Sequence, residues 1–224
     1  MVVKRLFDIC FATVAIVLLW PIFILAAFGI RMTSPGPIFY RAKRTGLNGT
    51  VFTMYKFRTM HVEQSAKGSV ITAHDDPRVF GFGNILRKLK IDELPQLFNV
   101  LKGDMSIVGP RPEDPKIVDQ YYTSYQRKTL TVRPGLASPG SIYNYTHGSQ
   151  LLKTDAPETA YIQDLLPIKL ALESVYVQRI SLLYDLRIIL RTIVIILATT
   201  LGFRHFPEPP EMALARQVLE SNKS

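Results

Sequence analysis

The sequence predicts an α+β fold that is mostly helical and has three parts in chain order. Residues 1–32 form a membrane element, residues 33–203 a compact domain, and residues 204–224 a polar C-terminal tail. Three observations predict this fold: a long apolar run near the N-terminus, a pair of strand-like segments around an Asn-Gly dipeptide, and helical periodicity in much of the rest. With 224 residues, the chain is long enough for one domain with a real core.

The apolar run covers residues 6–30 and carries a single charge, Asp8. It is long enough to cross a bilayer, so we interpret it as a membrane element. A signal peptide is the first alternative, because Lys4 and Arg5 precede the run as a positive n-region. The run is long for the apolar part of a signal peptide, however, and no clear small-residue cleavage site follows it.

A straight transmembrane helix is the second alternative, and hydropathy alone favours it. Pro21 lies in the middle of the run, where proline removes a backbone hydrogen bond and kinks a helix. Basic residues flank both ends, with Lys4 and Arg5 before the run and Arg31 after it. Because positive charge favours the cytoplasmic side, both ends prefer the same side. These features favour a re-entrant helix-break-helix with its break at Pro21.

A β-hairpin is predicted next, with strands over residues 38–44 and 51–60. The intervening TGLNG contains Asn48 and Gly49, a strong signal for a tight turn. On the second strand, Lys56 and Arg58 alternate with aromatic residues. Taken alone, this alternation is typical of a basic, solvated strand face.

A short helix around residues 84–90 leads to a second predicted helix over residues 92–102. Asp92 is a suitable N-cap, Pro95 is tolerated in the first turn, and Gly103 can end the helix. Four apolar residues then recur at helical spacing on one face, which predicts that they are buried. They are Leu94, Leu97, Phe98 and Leu101.

Two adjacent carboxylates, Asp92 and Glu93, therefore lie at the mouth of this helix, just after the basic residues Arg87, Lys88 and Lys90. A helix N-terminus carries unpaired N–H groups and partial positive charge, so it favours both carboxylates and phosphates. For an isolated Asp-Glu pair, a simple cap and a solvated first-turn acid are the more common explanation. The rest of the sequence has to decide between these interpretations.

The C-terminal half is predicted to be largely helical. A segment from Thr192 to Phe203 is apolar and uncharged but too short to span a bilayer, so its helix lies at the membrane interface or packs on the domain. The tail is expected to be mobile or a short terminal helix. The predicted elements are a helix at 113–130, a turn-rich segment at 132–140, an aromatic-polar loop at 141–150, a helix at 157–180 and an apolar helix at 182–203.

The net charge of +9 points to an anionic partner: nucleic acid, an anionic membrane face or a phosphorylated substrate. Composition alone does not choose among them. Cys10 is the only cysteine, which excludes an intramolecular disulfide and a cysteine-based zinc site. The histidines are scattered without ligand spacing, which argues against a histidine metal cluster. They are His61, His74, His147 and His205.

A membrane element, a basic domain and paired acids at a helix N-terminus together suggest chemistry on a phosphate at a membrane surface. A carboxylate can attack phosphorus, and Mg²⁺ held by a neighbouring carboxylate can neutralise a diphosphate. Arginine and lysine can stabilise the phosphoryl oxygens. Asp92 and Glu93 fit the nucleophile and the metal ligand, although their spacing alone leaves this as one option among several.

Three segments give a more specific indication: KRLFDICFATVAIVLLWPIFILAAFGI, SPGPIFYRAKRTGLNGTVFTMYKFRTM and LRKLKIDELPQLFNVLKGDMSIVGPRP, in this order and spacing. They resemble the bacterial sugar transferase family, the monotopic phosphoglycosyl transferases that prime glycan synthesis. The resemblance covers most of residues 4–134, with a weaker similarity over 176–192. It implies transfer of a phosphosugar from a UDP-sugar to polyprenyl (undecaprenyl) phosphate with release of UMP, through an aspartyl-phosphosugar intermediate.

The resemblance also implies a place and a pathway for this reaction. The enzyme would lie at the bacterial inner membrane with its catalytic domain facing the cytoplasm. It would carry out the first membrane step in the synthesis of a capsule, O-antigen, exopolysaccharide or glycoprotein glycan. The expected partners are the UDP-sugar, polyprenyl phosphate and membrane lipids, but not nucleic acid. The sugar, the pathway and the oligomeric state, including a homodimer, stay open.

By the same resemblance, each candidate site residue has an expected role. Asp92 is the nucleophile and Glu93 binds the cofactor Mg²⁺. The residues expected to bind or lie near substrate phosphates are Arg87, Arg111, Lys56 and Arg58, and the expected membrane-helix break is Pro21.

The sequence departs from the family pattern in two places. Trp20 precedes Pro21 where many members have serine, which leaves the local form of the bend open. After VRPG, many members continue with ITGWAQV, whereas this chain continues with LASPGSIYNYTHG. If this loop, residues 136–150, helps to select the sugar, specificity cannot be transferred from relatives. The chain resembles the small form of the family, without the multi-span N-terminal extension of larger members.

Two rival functions stay open at this point. A non-enzymatic, membrane-anchored protein that binds anionic lipid or nucleic acid would explain the charge and the apolar run, but not the acids clustered against basic residues. Nucleic acid is the weaker of its two ligands, because no basic helix with interleaved aromatic residues is present. A UDP-sugar hydrolase would use the same site with water as the acceptor. Release of UMP with and without polyprenyl phosphate distinguishes the hydrolase from the transferase.

Overall fold

The computed structural model describes residues 2–62, 76–148, 151–152 and 156–221. The predicted fold class is confirmed in its main features, since the chain is mostly helical and contains a two-stranded hairpin. The strands are β1 Phe39–Thr45, β2 Val51–Phe57, β3 Ser106–Val108 and β4 Gly135–Ala137. The helices are α1 Val2–Thr33, α2 Gly81–Lys88, α3 Gln96–Lys102, α4 Pro115–Tyr121, α5 Pro139–Tyr143, α6 Pro157–Ala160, α7 Leu166–Gln178, α8 Leu182–Thr200 and α9 Met212–Ser221.

Helix α1 covers the apolar run that we interpret from the sequence as a membrane element, and it is long and apolar enough to cross a bilayer. It runs without interruption through Pro21, so the break predicted at that residue is not confirmed. The buried residues of α1 lie at helical spacing along one seam that faces the rest of the protein. They are Asp8, Ala12, Phe23, Ala26 and Ile30.

The hairpin and its Asn-Gly turn are confirmed. Strands β1 and β2 pair antiparallel from Phe39 opposite Phe57 to Thr45 opposite Val51. A short 3₁₀ turn, Leu47–Gly49, joins them, with Asn48 at φ 53° and Gly49 at φ 79°. Asparagine and glycine are the residues that adopt these left-handed conformations most readily, which explains why the turn forms here.

Strands β3 and β4 form a second, parallel sheet that the sequence analysis did not predict. Ser106 pairs with Gly135, and Val108 pairs with Ala137. The two backbones approach so closely that a Cβ on Gly135 would lie 2.1 Å from the Gly109 nitrogen. Glycine is therefore required at this crossing, which fixes the start of the Pro-Arg-Pro segment (residues 110–112).

The helix predicted over residues 92–102 begins later than expected. Ile91–Glu93 is a 3₁₀ turn, and the α-helix begins at Gln96 with Pro95 as its N-cap. The prediction that Asp92 is the cap is therefore wrong, because the 3₁₀ turn displaces the cap of α3 by three residues, to Pro95. Gly103 ends the helix at φ 96°, as predicted.

The predicted buried face of this helix is only partly correct. Leu97 is buried, but Leu101 is 36% exposed. Leu94 and Phe98 are half-buried. Three further residues of α3, which the apolar pattern alone did not select, are also buried. These are Gln96, Asn99 and Val100.

The C-terminal half differs from the prediction in three respects. The helix predicted over residues 113–130 is shorter, because α4 ends at Tyr121 and a 3₁₀ segment, Gln126–Thr131, follows. The predicted aromatic-polar loop is helical: α5 continues as a π-helical turn, Asn144–Gly148, while residues 149–150 lie outside the described part of the chain. Much of the polar segment between the hairpin and α2, residues 63–75, also lies outside it.

The predicted helix at 157–180 corresponds to α6, a π-helical turn Tyr161–Leu165 and α7. Helix α8 covers most of the predicted apolar helix at 182–203. The terminal segment contains α9, whose Met212 and Ala215 are buried in the core beside α7. Part of the predicted polar tail therefore packs on the domain as a helix.

We expect Gly135→Ala to destabilise the protein by about 2 kcal/mol or more, because the added methyl group overlaps the backbone of Gly109. The midpoint of thermal unfolding of the detergent-solubilised protein measures this effect. Gly81→Ala is the matched control, since its Cβ would meet nothing within 4 Å. Equal midpoints for the two variants would contradict the close crossing of β3 and β4.

Candidate functional site

A cleft of about 1050 Å³ separates the hairpin from α2 and the 3₁₀ turn at residues 91–93. One end lies near Pro37 and Phe39, which follow α1, and the other end lies near Arg44 and Asp114. This volume is sufficient for a nucleotide-sized ligand. The cleft is the natural place to look for a binding site, because both carboxylates of the Asp-Glu pair line it.

Asp92 and Glu93 are buried, with exposed fractions of 7% and 8%. The 3₁₀ turn Ile91–Glu93 carries them into the cleft. Lys90, which precedes the turn, has the left-handed φ of 57° and sharply redirects the chain after α2. Burial excludes the interpretation of Glu93 as a solvated first-turn acid.

Glu93 is surrounded by donors from three distant parts of the chain. Arg111 binds it through both terminal nitrogens, at 2.5 Å and 3.1 Å. Lys56 Nζ donates to the same carboxylate at 3.1 Å, and the Tyr145 hydroxyl lies 3.4 Å from it. Burial alone would raise the pKa of Glu93, but Arg111 and Lys56 hold this pKa well below its usual value. Glu93 is therefore a buried, paired anion.

Asp92 has a different environment from its neighbour. Its Oδ1 is buried and has no hydrogen-bond partner among the described residues. Burial raises the pKa of Asp92, with a smaller opposing effect from Lys56. The two adjacent acids thus have pKa values shifted in opposite directions, which is typical of carboxylates with different chemical roles.

The backbone around Arg111 is fixed by a buried acid, Glu173. The Arg111 N–H donates to Glu173 Oε1 at 3.3 Å, and the Ser138 hydroxyl donates to the same oxygen at 2.6 Å. Backbone bonds from Gly109 to Ala137 and from Gly135 to Pro110 hold the same segment. Burial raises the pKa of Glu173 to about 7.

Lys56 is positioned by Asn99 of α3. The Asn99 side chain accepts a hydrogen bond from the Tyr55 N–H at 3.0 Å and donates to the Thr53 carbonyl at 2.8 Å. The amide thus binds the open edge of β2 much as another strand would. Because Asn99 follows the Asp-Glu pair in sequence, this contact sets the distance between Lys56 and Glu93.

The two remaining predicted arginines lie in different environments. Arg87 lines the cleft, and its Nε donates to the Thr59 hydroxyl at 2.9 Å. Arg58 is buried, and its guanidinium donates to oxygens at the end of α1 and beside it. Its acceptors are the Pro37, Ser34 and Met60 carbonyls and the Ser34 hydroxyl.

The structure therefore brings Asp92, Glu93, Lys56 and Arg111 together, with Arg87 on the cleft wall. It commits Arg58 to the backbone that follows α1. A role for Arg58 in binding substrate phosphate stays a prediction.

Three residues of the site were not assigned a role from the sequence: Lys90, Tyr145 and Glu173. Lys90 belonged to the basic cluster before the Asp-Glu pair, but nothing in the sequence distinguished it from Lys88. Tyr145 lies in the segment that departs from the family pattern, which was the one available signal. No feature of the sequence indicated a role for Glu173, because a single acid in an otherwise apolar helix can equally well lie on the solvated face.

The carboxylates fit Mg²⁺ chemically, because that ion prefers hard oxygen ligands and commonly uses one or two carboxylates together with substrate phosphates. The unpartnered Oδ1 of Asp92 is an available oxygen. Both oxygens of Glu93 already accept hydrogen bonds from cations. No group of three or more metal-binding side chains occurs in the part of the chain that the structure describes. A bound ion would therefore take further oxygens from substrate or water.

Comparison with known proteins gives the family. The family model described as bacterial sugar transferase matches residues 1–199. The chain is 37% identical over 203 residues to a UDP-glucose:undecaprenyl-phosphate glucose-1-phosphate transferase from Xanthomonas campestris pv. campestris, covering 88% of this chain and 39% of that protein.

Two further relatives show that the sugar named for these proteins varies. A protein with the same name from Caulobacter vibrioides is 37% identical over 200 residues, covering 88% of this chain and 70% of its own length. A UDP-N-acetylgalactosamine-undecaprenyl-phosphate N-acetylgalactosaminephosphotransferase from Aeromonas hydrophila is 38% identical over 194 residues, covering 85% and 43% respectively. The chain thus spans less than half the length of the Xanthomonas and Aeromonas proteins, and the relatives differ in the named sugar.

Glu173 generates a prediction about the dependence of stability on pH. Its native pKa of about 7 lies above its ordinary value of 4.5, so between these values the native state binds a proton that the unfolded state lacks. The contribution to the free energy of unfolding is therefore present at low pH and is lost as the pH rises towards 8. We expect Glu173→Gln to gain about 3 kcal/mol relative to the parent protein between pH 5 and pH 8.

Chemical denaturation at a series of pH values measures this difference. Glu220→Gln is the control, because Glu220 is exposed. If the two variants followed the parent protein equally across this range, Glu173 would not be the titrating group.

Proposed function

The chain belongs to the bacterial sugar transferase family, and on this premise we propose that it transfers a sugar-1-phosphate from a UDP-sugar to undecaprenyl phosphate, releasing UMP. The observation that carries the proposal is the unequal pair of carboxylates. Asp92 has a free oxygen and a raised pKa, whereas Glu93 beside it is held by Arg111 and Lys56. This arrangement leaves one carboxylate available for reaction beside a cluster of cations.

In the proposed first step, an oxygen of Asp92 attacks the phosphorus that carries the sugar. A bond forms between Asp92 and this phosphorus, and the bond from the phosphorus to the bridging oxygen of the diphosphate breaks. UMP leaves with that oxygen and the bonding electron pair. The product is an aspartyl-phosphosugar.

In the proposed second step, an oxygen of undecaprenyl phosphate attacks the same phosphorus. The bond between Asp92 and phosphorus breaks, which regenerates the carboxylate and yields undecaprenyl diphosphosugar. Both steps need stabilisation of charge on the phosphoryl oxygens. We assign this role to Lys56 and Arg111, which bind Glu93, and to Arg87, which lines the cleft.

We also propose that Mg²⁺ takes part in this two-step transfer. When bound, the ion would neutralise charge on the diphosphate as a Lewis acid. The free oxygen of Asp92 is the first candidate ligand. Glu93 would join it only on exchanging one of its cationic partners, because Arg111 and Lys56 occupy its oxygens.

We further propose that the protein lies on a membrane through two apolar surfaces. One face of α1 exposes large apolar side chains along its whole length, and α8 exposes a second apolar stripe at helical spacing. Lys4 of α1 and Asp185 of α8 form an ion pair at 2.6 Å, so the two helices lie side by side at this point. The exposed apolar residues of α8 include Leu183, Leu186, Leu190, Ile193 and Leu197.

The buried seam of α1 supports a non-spanning orientation with both ends on the cytoplasmic side. Its buried residues extend from Asp8 to Ile30, which is about 33 Å of helix at 1.5 Å per residue. The hydrocarbon core of a bilayer is about 30 Å thick. A spanning α1 would therefore draw the attached domain, including its charged cleft, into hydrocarbon.

A UDP-sugar hydrolase with the same site is the second candidate function. The burial of Asp92 favours the transferase, because limited access to water protects an acyl phosphate from hydrolysis. Release of UMP that depends on undecaprenyl phosphate supports the transferase, and release that is independent of it over many turnovers supports the hydrolase.

The aspartyl intermediate predicts a covalent adduct. Incubation with Mg²⁺ and a panel of UDP-sugars, without lipid acceptor, should add one phosphosugar to the chain and release about one equivalent of UMP. Intact-protein and peptide mass spectrometry should place the adduct on Asp92. Undecaprenyl phosphate should then discharge it.

Two controls make this experiment decisive. Asp92→Asn should give neither adduct nor turnover, because an amide is a far poorer nucleophile. Asp164→Asn, outside the cleft, should behave like the parent protein. Turnover without adduct or burst, together with ternary-complex kinetics, would replace the intermediate with direct attack by the lipid phosphate.

The orientation of α1 generates a separate prediction. Single cysteines at the exposed positions Val3 and Met32, with Cys10 replaced by alanine, should react with a membrane-impermeant maleimide in inverted vesicles and be protected in intact spheroplasts. Val51→Cys, in the hairpin, reports the side of the domain. Reaction of positions 3 and 32 from opposite sides would show that α1 spans the membrane.

A further inference from the structure

Lys90 is a cation in the cleft that neither the sequence nor the family comparison assigns to a role. It has a left-handed backbone, with φ 57°, and among the described residues it shares this with only one other non-glycine residue, Asn48. Asn48 belongs to a residue type that tolerates this conformation in a turn, whereas lysine has no such preference. From this backbone position, the Lys90 side chain reaches the ring of Tyr145.

The Lys90 ammonium lies 3.8 Å from the centroid of the Tyr145 ring. Across the described part of the chain, no oxygen accepts a hydrogen bond from it and no carboxylate forms an ion pair with it. Lys56 and Arg111, by contrast, both donate to Glu93. The aromatic face attracts the cation but leaves its N–H groups available for an anion in the cleft.

Tyr145 is itself held rigidly. It lies in the π-helical turn Asn144–Gly148, where the rings of Tyr143 and His147 stack at 4.9 Å. The Tyr145 hydroxyl accepts a hydrogen bond from Arg111 at 3.3 Å and lies 3.4 Å from Glu93. The ring therefore connects the position of Lys90 to the Asp-Glu pair.

We propose that Lys90 binds a phosphoryl group of a substrate and that Tyr145 is the residue that positions it. This inference rests on the proposed function, since it concerns the same cleft. The contacts support it: Lys56 and Arg111 donate to Glu93, whereas the ammonium of Lys90 donates to no oxygen among the described residues and keeps its donors for a substrate. An ammonium has only donors, and phosphoryl oxygens are the strongest acceptors that either substrate offers.

The two substrates both carry phosphoryl groups, so the two half-reactions are measured separately. The rate of UMP release with UDP-sugar alone reports the donor, and the rate at which undecaprenyl phosphate discharges the preloaded protein reports the lipid. We expect Lys90→Met to raise the half-saturating concentration of one substrate by about tenfold to a hundredfold. Lys90→Arg should recover much of this loss because it restores the charge.

Variants of Tyr145 test the positioning role. Tyr145→Phe keeps the aromatic face and should retain most of the affinity, whereas Tyr145→Leu removes it and should approach the effect of Lys90→Met. Combining Lys90→Met with Tyr145→Leu should add little to either single change, because both remove the same interaction. Lys88→Met is the matched control, since Lys88 is exposed two residues earlier. Thermal unfolding midpoints report whether each variant is folded.

Each outcome is decisive for the inference. A loss confined to UMP release assigns Lys90 to the donor diphosphate, and a loss confined to discharge assigns it to the lipid phosphate. Lys90→Gly, which adopts the left-handed conformation without strain, should show the same loss if Lys90→Met does not fold. Activity in Lys90→Gly equal to that of Lys88→Met would overturn the inference while leaving the proposed function intact. A parent protein that is inactive with every UDP-sugar would instead overturn the proposed function.

Discussion

The buried carboxylate of Glu93 is the constraint on which the architecture of the site depends. A buried charge without partners costs several kcal/mol, so the fold must bring cations to this point. Arg111 comes from the Pro-Arg-Pro segment and Lys56 from the hairpin. The glycine crossing of β3 and β4 and the buried Glu173 fix the first, and Asn99 fixes the second. Much of the described domain thus serves to hold two cations against one anion.

Polar side chains of the otherwise apolar helix α1 also attach it to the rest of the domain. Asp8 accepts hydrogen bonds from the Ser106 hydroxyl and the Ile107 N–H, and Arg5 donates to the Val100 carbonyl. These contacts tie the first turns of α1 to α3 and β3, the elements that flank the site. At the other end, Arg58 holds the backbone that follows α1. Helix α1 and the candidate site are therefore parts of one packed unit.

Local features were predictable from the sequence where a short motif determines the backbone. Asn-Gly fixed the hairpin turn, and Gly103 fixed the end of α3, because few other residues adopt those conformations. Asp92 was wrongly assigned as a cap, since a 3₁₀ turn and a proline compete with a regular helix start. The parallel pairing of β3 with β4 could not be predicted, because each strand has only three residues and its partner is distant in sequence.

Within the site, only the residues that belong to a recognisable sequence motif could be predicted. Asp92, Glu93, Lys56 and Arg111 came from the family resemblance, and the fold does bring them together. Tyr145 and Glu173 could not be found, because their roles arise from contacts across 52 and 62 positions of the chain. Such contacts depend on how distant segments pack together, and a single sequence does not show this directly.

The balance of charge in the cleft explains how two buried carboxylates are compatible with a phosphorylated substrate. Among the described residues, eight arginine and lysine side chains line the cleft, against three carboxylates. Some of these cations are already engaged, since Arg44 pairs with Asp114 and Lys56 pairs with Glu93. The remaining cations leave an excess of positive charge, which attracts phosphates into a cleft where two acids alone would repel them. The anionic substrate of the proposed reaction therefore requires the basic lining as much as it requires the Asp-Glu pair.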